Sequence, residues 1–105
     1  MFARNVSLCL KPNSRSEFTR IFDKEVIPML RKQRGFRDEI IFAIPGGLKV
    51  VAISLWDTKE DAEAYKTAGY PAVLKILHKV LDGTPKVQVS DVISSTIHKP
   101  AVVAA

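Results

Sequence analysis

The chain has 105 residues, of which 47% are hydrophobic and 26% charged, and its net charge is +5. That length suits one domain and not two, and the apolar share is enough for a core without staples. The single cysteine, Cys9, excludes an internal disulfide framework and any cysteine-rich zinc module, and points to a reducing, cytoplasmic compartment. No apolar run approaches the roughly 20 residues that span a bilayer, and the N-terminus lacks a signal-peptide core, so neither a membrane segment nor an export signal is expected.

Residues 2–10 alternate, with Val6, Leu8 and Leu10 on one side and Asn5, Ser7 and Cys9 on the other, the period of a strand. Lys11-Pro12-Asn13 breaks the pattern, and Ser14 followed three residues later by Glu17 offers a capping box. Phe18, Ile21, Phe22, Val26, Met29 and Leu30 then recur at helical spacing, which predicts one amphipathic helix over 15–33. Pro28 should kink it, and Gly35 should cap its end. Strand two is expected over 36–44, a tight turn at Pro45-Gly46-Gly47, and strand three over 48–56.

Strand three is apolar on both faces, so it should be central and covered on each side. Helices cover only one side of such a sheet, and a partner subunit is the economical cover for the other. Thr58 with Asp61 opens a further helix, Gly69 interrupts it, and Pro71 restarts a stripe that runs to Leu81. Residues 86–97 return to alternation as strand four, and the tail from Pro100 to Ala105 is either frayed or docked on a neighbour. The order β-α-β-β-α-β predicts an α+β, ferredoxin-like sandwich: a four-stranded antiparallel sheet with two helices on one face. Residues 1–99 would form the domain and 100–105 its tail.

Charge and motifs exclude more than they identify. Arg31, Lys32, Arg34 and Arg37 are the only basic cluster, and they fall where the first helix ends and cations complement its dipole. Arg34-Gly35-Phe36 matches the start of an RNA-binding strand signature, but it continues into Arg37-Asp38-Glu39, whose acids repel phosphate. No nucleic acid partner is expected. His78 and His98 lie twenty residues apart with no paired cysteine, so no metal site is expected either. Gly46-Gly47 sits in a hairpin and not between strand and helix, which makes it turn chemistry and not a phosphate cradle.

The remaining polar and aromatic groups each admit a bland reading. Asn5 and Asp91 can be satisfied polar positions in strands, Trp56 a core anchor, Cys9 a small buried hydrophobe, and His78 a half-exposed side chain at the edge of its helix stripe.

The run from Val26 to Gln33, then Gly35-Phe36 entering a strand, then Leu55-Trp56-Asp57-Thr58-Lys59-Glu60-Asp61 opening a helix, resembles the antibiotic-biosynthesis monooxygenase domain of the dimeric α/β-barrel superfamily, over about residues 2–97. The resemblance implies a homodimer whose two sheets face each other as a barrel. Members include cofactor-free monooxygenases of phenolic or quinol substrates and haem-degrading monooxygenases that use an asparagine, a tryptophan and a histidine. Asn5 matches the asparagine. The tryptophan position is Tyr65, and the histidine position is Lys75, with His78 nearly a turn further on. Haem and other cofactors are therefore not expected. By the resemblance, Asn5, His78 and Tyr65 would be catalytic, with Asn5 steadying a phenolate-like anion and His78 acting as base. Trp56, Phe22 and Tyr70 would hold a small aromatic substrate. A non-catalytic, small-ligand-binding or stress-associated dimer on the same barrel is the alternative. A cleft filled by Phe22, Met29 and Leu77 would favour it, and a cavity of several hundred Å³ on which Asn5 and His78 converge would favour the enzyme.

Overall fold

The computed structural model describes residues 1–97; the expected C-terminal tail lies outside them. In chain order the elements are β1 (Phe2–Cys9), α1 (Arg15–Ile21), a π-helical turn (Phe22–Val26), α2 (Ile27–Arg31), β2 (Phe36–Ala43), β3 (Lys49–Trp56), α3 (Lys59–Ala68), α4 (Tyr70–Leu77), a 3-10 turn (His78–Val80) and β4 (Lys86–Asp91). The sheet order is β2-β3-β1-β4 and every pairing is antiparallel, which is the expected ferredoxin-like topology. Among the described residues no helix is long and apolar enough to cross a membrane.

Strand parity decides where the core forms. Phe2, Val6 and Leu8 of β1 and Val50, Ala52 and Trp56 of β3 point to the helix side and pack with Phe18, Ile21, Phe22, Val26 and Leu77 in one apolar cluster. The expected helix over 15–33 is in fact three pieces. Pro28 has no amide to donate, and just before it the helix widens, with the Ile27 N–H reaching the Phe22 carbonyl five residues back. The expected capping box is absent. Ser14 makes no side-chain cap bond and its hydroxyl sits 3.5 Å from the Pro12 carbonyl. Thr58, by contrast, caps α3 as expected, its hydroxyl accepting from the Asp61 N–H at 3.1 Å. Strand four stops at Asp91 and not at 97, although the Val92 N–H still bonds the Met1 carbonyl at 3.0 Å.

One irregularity bears on function. Phe36 pairs with Trp56 and Asp38 with Leu55, so Arg37 is an extra residue and β2 carries a bulge there. The bulge shifts the alternation by one place. Phe36 faces the helices, and beyond the bulge Glu39, Ile41 and Ala43 do so too, while Asp38, Ile40 and Phe42 share the outer face with Val51 and Ile53. On that outer face Phe42 is 54% exposed and Ile40, Val51 and Ile53 are only half-buried.

Candidate functional site

Arg4, Ser54 and Glu39 are register partners across β1, β3 and β2, and together they form one polar row on the helix-facing side of the sheet. The rows on either side, Val6-Ala52-Ile41 and Phe2-Trp56-Phe36, are apolar. Neighbouring strands hold such partners side by side, so three polar groups reach one strip of an otherwise apolar interface.

Arg4 is only 2% exposed. Its Nε and Nη2 atoms are buried and have no hydrogen-bond partner among the described residues. Aromatic rings hold the guanidinium instead, with its central carbon 4.6 Å from the Tyr70 ring centroid and 5.5 Å from that of Tyr65. Tyr65 stacks on the wholly buried Trp56 at 4.8 Å, and Phe36 meets the other end of Trp56 edge-on at 5.6 Å. The Trp56 indole donates to the Ser54 hydroxyl at 2.8 Å, which holds the ring in place. Gly69, at the break between α3 and α4, leaves room for this ladder: a Cβ there would come within 2.9 Å of the Tyr65 ring.

Loss of water pushes the half-buried Glu39 carboxyl up to about 8, and the charge of Arg4 opposes that shift without cancelling it. Burial also raises the Tyr65 phenol, with the Glu39 charge adding to the rise and Arg4 opposing it. Tyr70 is raised by burial against Arg4. Both tyrosines are therefore protonated at neutral pH and available as donors, while Glu39 changes state near the neutral range.

The space these groups enclose is narrow. A cavity of about 30 Å³, room for two or so waters, lies between the polar row and the apolar walls of Val26, Leu30, Val73 and Leu77. Beside it, between α1, the π turn and β2, an open hollow of about 320 Å³ shares Phe22 and Glu39 as walls. Phe22, the first residue of the π turn, lines both.

Of the residues singled out from the sequence, Phe22, Tyr65 and Tyr70 come together at this cleft. Trp56 lies behind it and supports Tyr65. Asn5 and His78 are not brought there. Asn5 pairs with Ile53 and Gln88 on the outer face, because odd positions of β1 point away from the helices. α4 ends at Leu77, which leaves His78 exposed in the 3-10 turn. Arg4, Ser54 and Glu39 were missed. Arg4 has the parity of Val6 and Leu8 and could have been found from that alone, but Glu39 turns inward only because of the bulge.

No family model matches the sequence, and no curated protein matches it. Solved structures do match over nearly the whole chain. A Nitrosomonas europaea protein described as a candidate antibiotic biosynthesis monooxygenase is 17% identical, with 90% of this chain and 100% of that one covered at a TM-score of 0.72. A monooxygenase from the gene ActVA-Orf6 of Streptomyces coelicolor, solved in complex with nanaomycin D, is 18% identical, covering 90% and 88% at 0.75. SnoaB, a cofactor-independent oxygenase from Streptomyces nogalater, is 14% identical, covering 92% and 97% at 0.72. The chain has the fold of these antibiotic-biosynthesis monooxygenase structures.

Proposed function

We propose that this protein is a cofactor-independent monooxygenase of a small aromatic substrate with an acidic hydroxyl, a quinol or phenol, bound in the cleft between sheet and helices. The observation that carries this reading is the polar row: a buried guanidinium and a carboxyl that titrates near neutral pH, set among aromatic rings in an apolar cleft. Ionised Glu39 takes the hydroxyl proton. Arg4 then stabilises the oxyanion, with the phenols of Tyr65 and Tyr70 as further donors. The electron-rich anion reacts with dioxygen. For an anthrone, Glu39 takes the first proton from the ring CH2, which gives the corresponding enolate; that carbon loses two hydrogens and four electrons in all, one oxygen atom becomes the product carbonyl, and the other leaves with the two hydrogens as water. A ring needs more room than the cavity holds, and movement of Phe22, which lines both spaces, would join it to the adjoining hollow.

Oxygen uptake by the purified protein against a panel of quinols and anthrones tests this. Glu39→Gln should lower kcat by about 10²-fold or more, the usual worth of a general base, while Asn5→Ala and His78→Ala leave it unchanged. The wild-type rate should rise with pH and level off above about 8, as the Glu39 carboxyl ionises. Silence across the whole panel would refute the oxygenase. It would favour a second reading, a non-catalytic dimer that binds a small ligand, which the narrowness of the cleft supports.

In this reading the protein acts as a homodimer in the cytoplasm, the latter supported by its single unpaired Cys9. The dimer would form through the outer sheet face, where Ile40, Phe42, Val51 and Ile53 make an apolar strip that no helix among the described residues covers. Light scattering should give twice the 11.7 kDa chain mass, and Ile53→Glu should return it to the mass of one chain. A wild-type protein that scatters as a monomer at every concentration would sink the dimer.

A further inference from the structure

We propose that Arg4 anchors a site for one small organic anion, a carboxylate on an aromatic body. The proposal rests on the reading of the cleft as a ligand site, though not on any oxidation occurring there. A guanidinium this deep is costly to leave unpaired, and buried charges are ordinarily paired or hydrogen-bonded. Arg4 is 2% exposed, yet its Nε and Nη2 have no partner among the described residues. Those two atoms make up one edge of the guanidinium, with two parallel N–H groups, and that edge matches the two oxygens of a carboxylate.

The surroundings select the rest of the ligand. Tyr65 and Tyr70 hold the guanidinium and leave that edge unused. The Ser54 hydroxyl accepts from the Trp56 indole and makes no bond to Nε or Nη2. The carboxyl of Glu39, across the row, makes no hydrogen bond to Nε or Nη2. The cavity of about 30 Å³ accepts a carboxylate group in place of water. The aromatic body is too large for that cavity and extends toward the adjoining hollow of about 320 Å³, which shares Phe22 and Glu39 as lining.

Titration of the wild-type protein with benzoate and with its neutral counterpart benzamide tests this, followed by Trp56 fluorescence and by the Arg4 Nε–H resonance. Benzoate should bind at least tenfold more tightly than benzamide and should shift the Arg4 Nε–H signal. Arg4→Lys, which keeps charge but loses the paired edge, should weaken benzoate at least tenfold and leave benzamide unchanged. Equal affinity for the two compounds, or saturation by benzoate with a motionless Arg4 signal, overturns the proposal. If Arg4→Lys fails to fold, the two wild-type measurements still decide. Benzoate binding without oxygen uptake from any quinol would leave the anion site standing and remove the oxygenase; uptake with no preference for benzoate would do the reverse.

Discussion

Glu39→Gln is expected to make the fold more stable at pH 8.5, by roughly 2–4 kcal/mol, while changing it little at pH 4. An ordinary glutamate ionises near 4.5 in the unfolded chain, but in the fold burial holds the Glu39 carboxyl up to about 8. Between those values the unfolded chain releases a proton that the folded chain keeps. Stability of the wild type therefore falls as pH rises from about 4.5 to about 8, and the loss is complete above that. Glutamine carries no such proton, so its profile lacks that decline. Urea denaturation across this range measures the difference. Parallel profiles for the two proteins would show that the carboxyl is not held neutral and would also remove the basis for its use as a base.

The same balance explains why a polar row persists in an apolar interface. Arg4, Ser54 and Glu39 occupy positions that Val or Leu would fill with less loss of stability, as the rows on either side do. Sites that violate the local pattern in this way are where function is sought. The adjoining π turn is a second departure, and it begins at Phe22, which lines both cavities.

Most of the fold was legible in the sequence because hydrophobic period and turn chemistry agree along the chain. The alternation of Val6, Leu8 and Leu10, the Thr58 cap and the Pro45-Gly46-Gly47 hairpin each describe their own element. Two features were not legible. Pro28 announces a disturbance in the first helix without saying whether it becomes a kink or a widened turn. The bulge at Arg37 depends on how β2 meets β3 and has no glycine to mark it, so the inward turn of Glu39 stayed hidden. Asn5 illustrates a different gap. Its strand parity already set it opposite Val6 and Leu8, while the resemblance to haem-degrading enzymes suggested a cleft residue. Parity agrees with where the structure places it.

Gly35→Ala is expected to cost roughly 2–4 kcal/mol and to lower Tm by about 10–20 °C. Gly35 has φ +78°, a left-handed conformation that costs an alanine about 1–2 kcal/mol by itself. It also lies directly under Asp61, where an added Cβ would fall 2.1 Å from the carboxylate Oδ2 and 2.7 Å from the Asp61 Cβ. Relief requires α3 to shift, because Asp61 is fixed in its first turn by the bond from its N–H to Thr58. That shift would propagate to Tyr65, one turn along α3, and so to the aromatic ladder that holds Arg4. Gly46→Ala is the matching control. Its φ of +73° is nearly the same, but no atom lies within 4 Å of the added Cβ, so it should cost only the backbone part, about 1–2 kcal/mol. Thermal unfolding of the two variants separates the terms. Equal losses would mean that Asp61 yields freely and that the contact between the first helix's end and α3 does not fix the cleft.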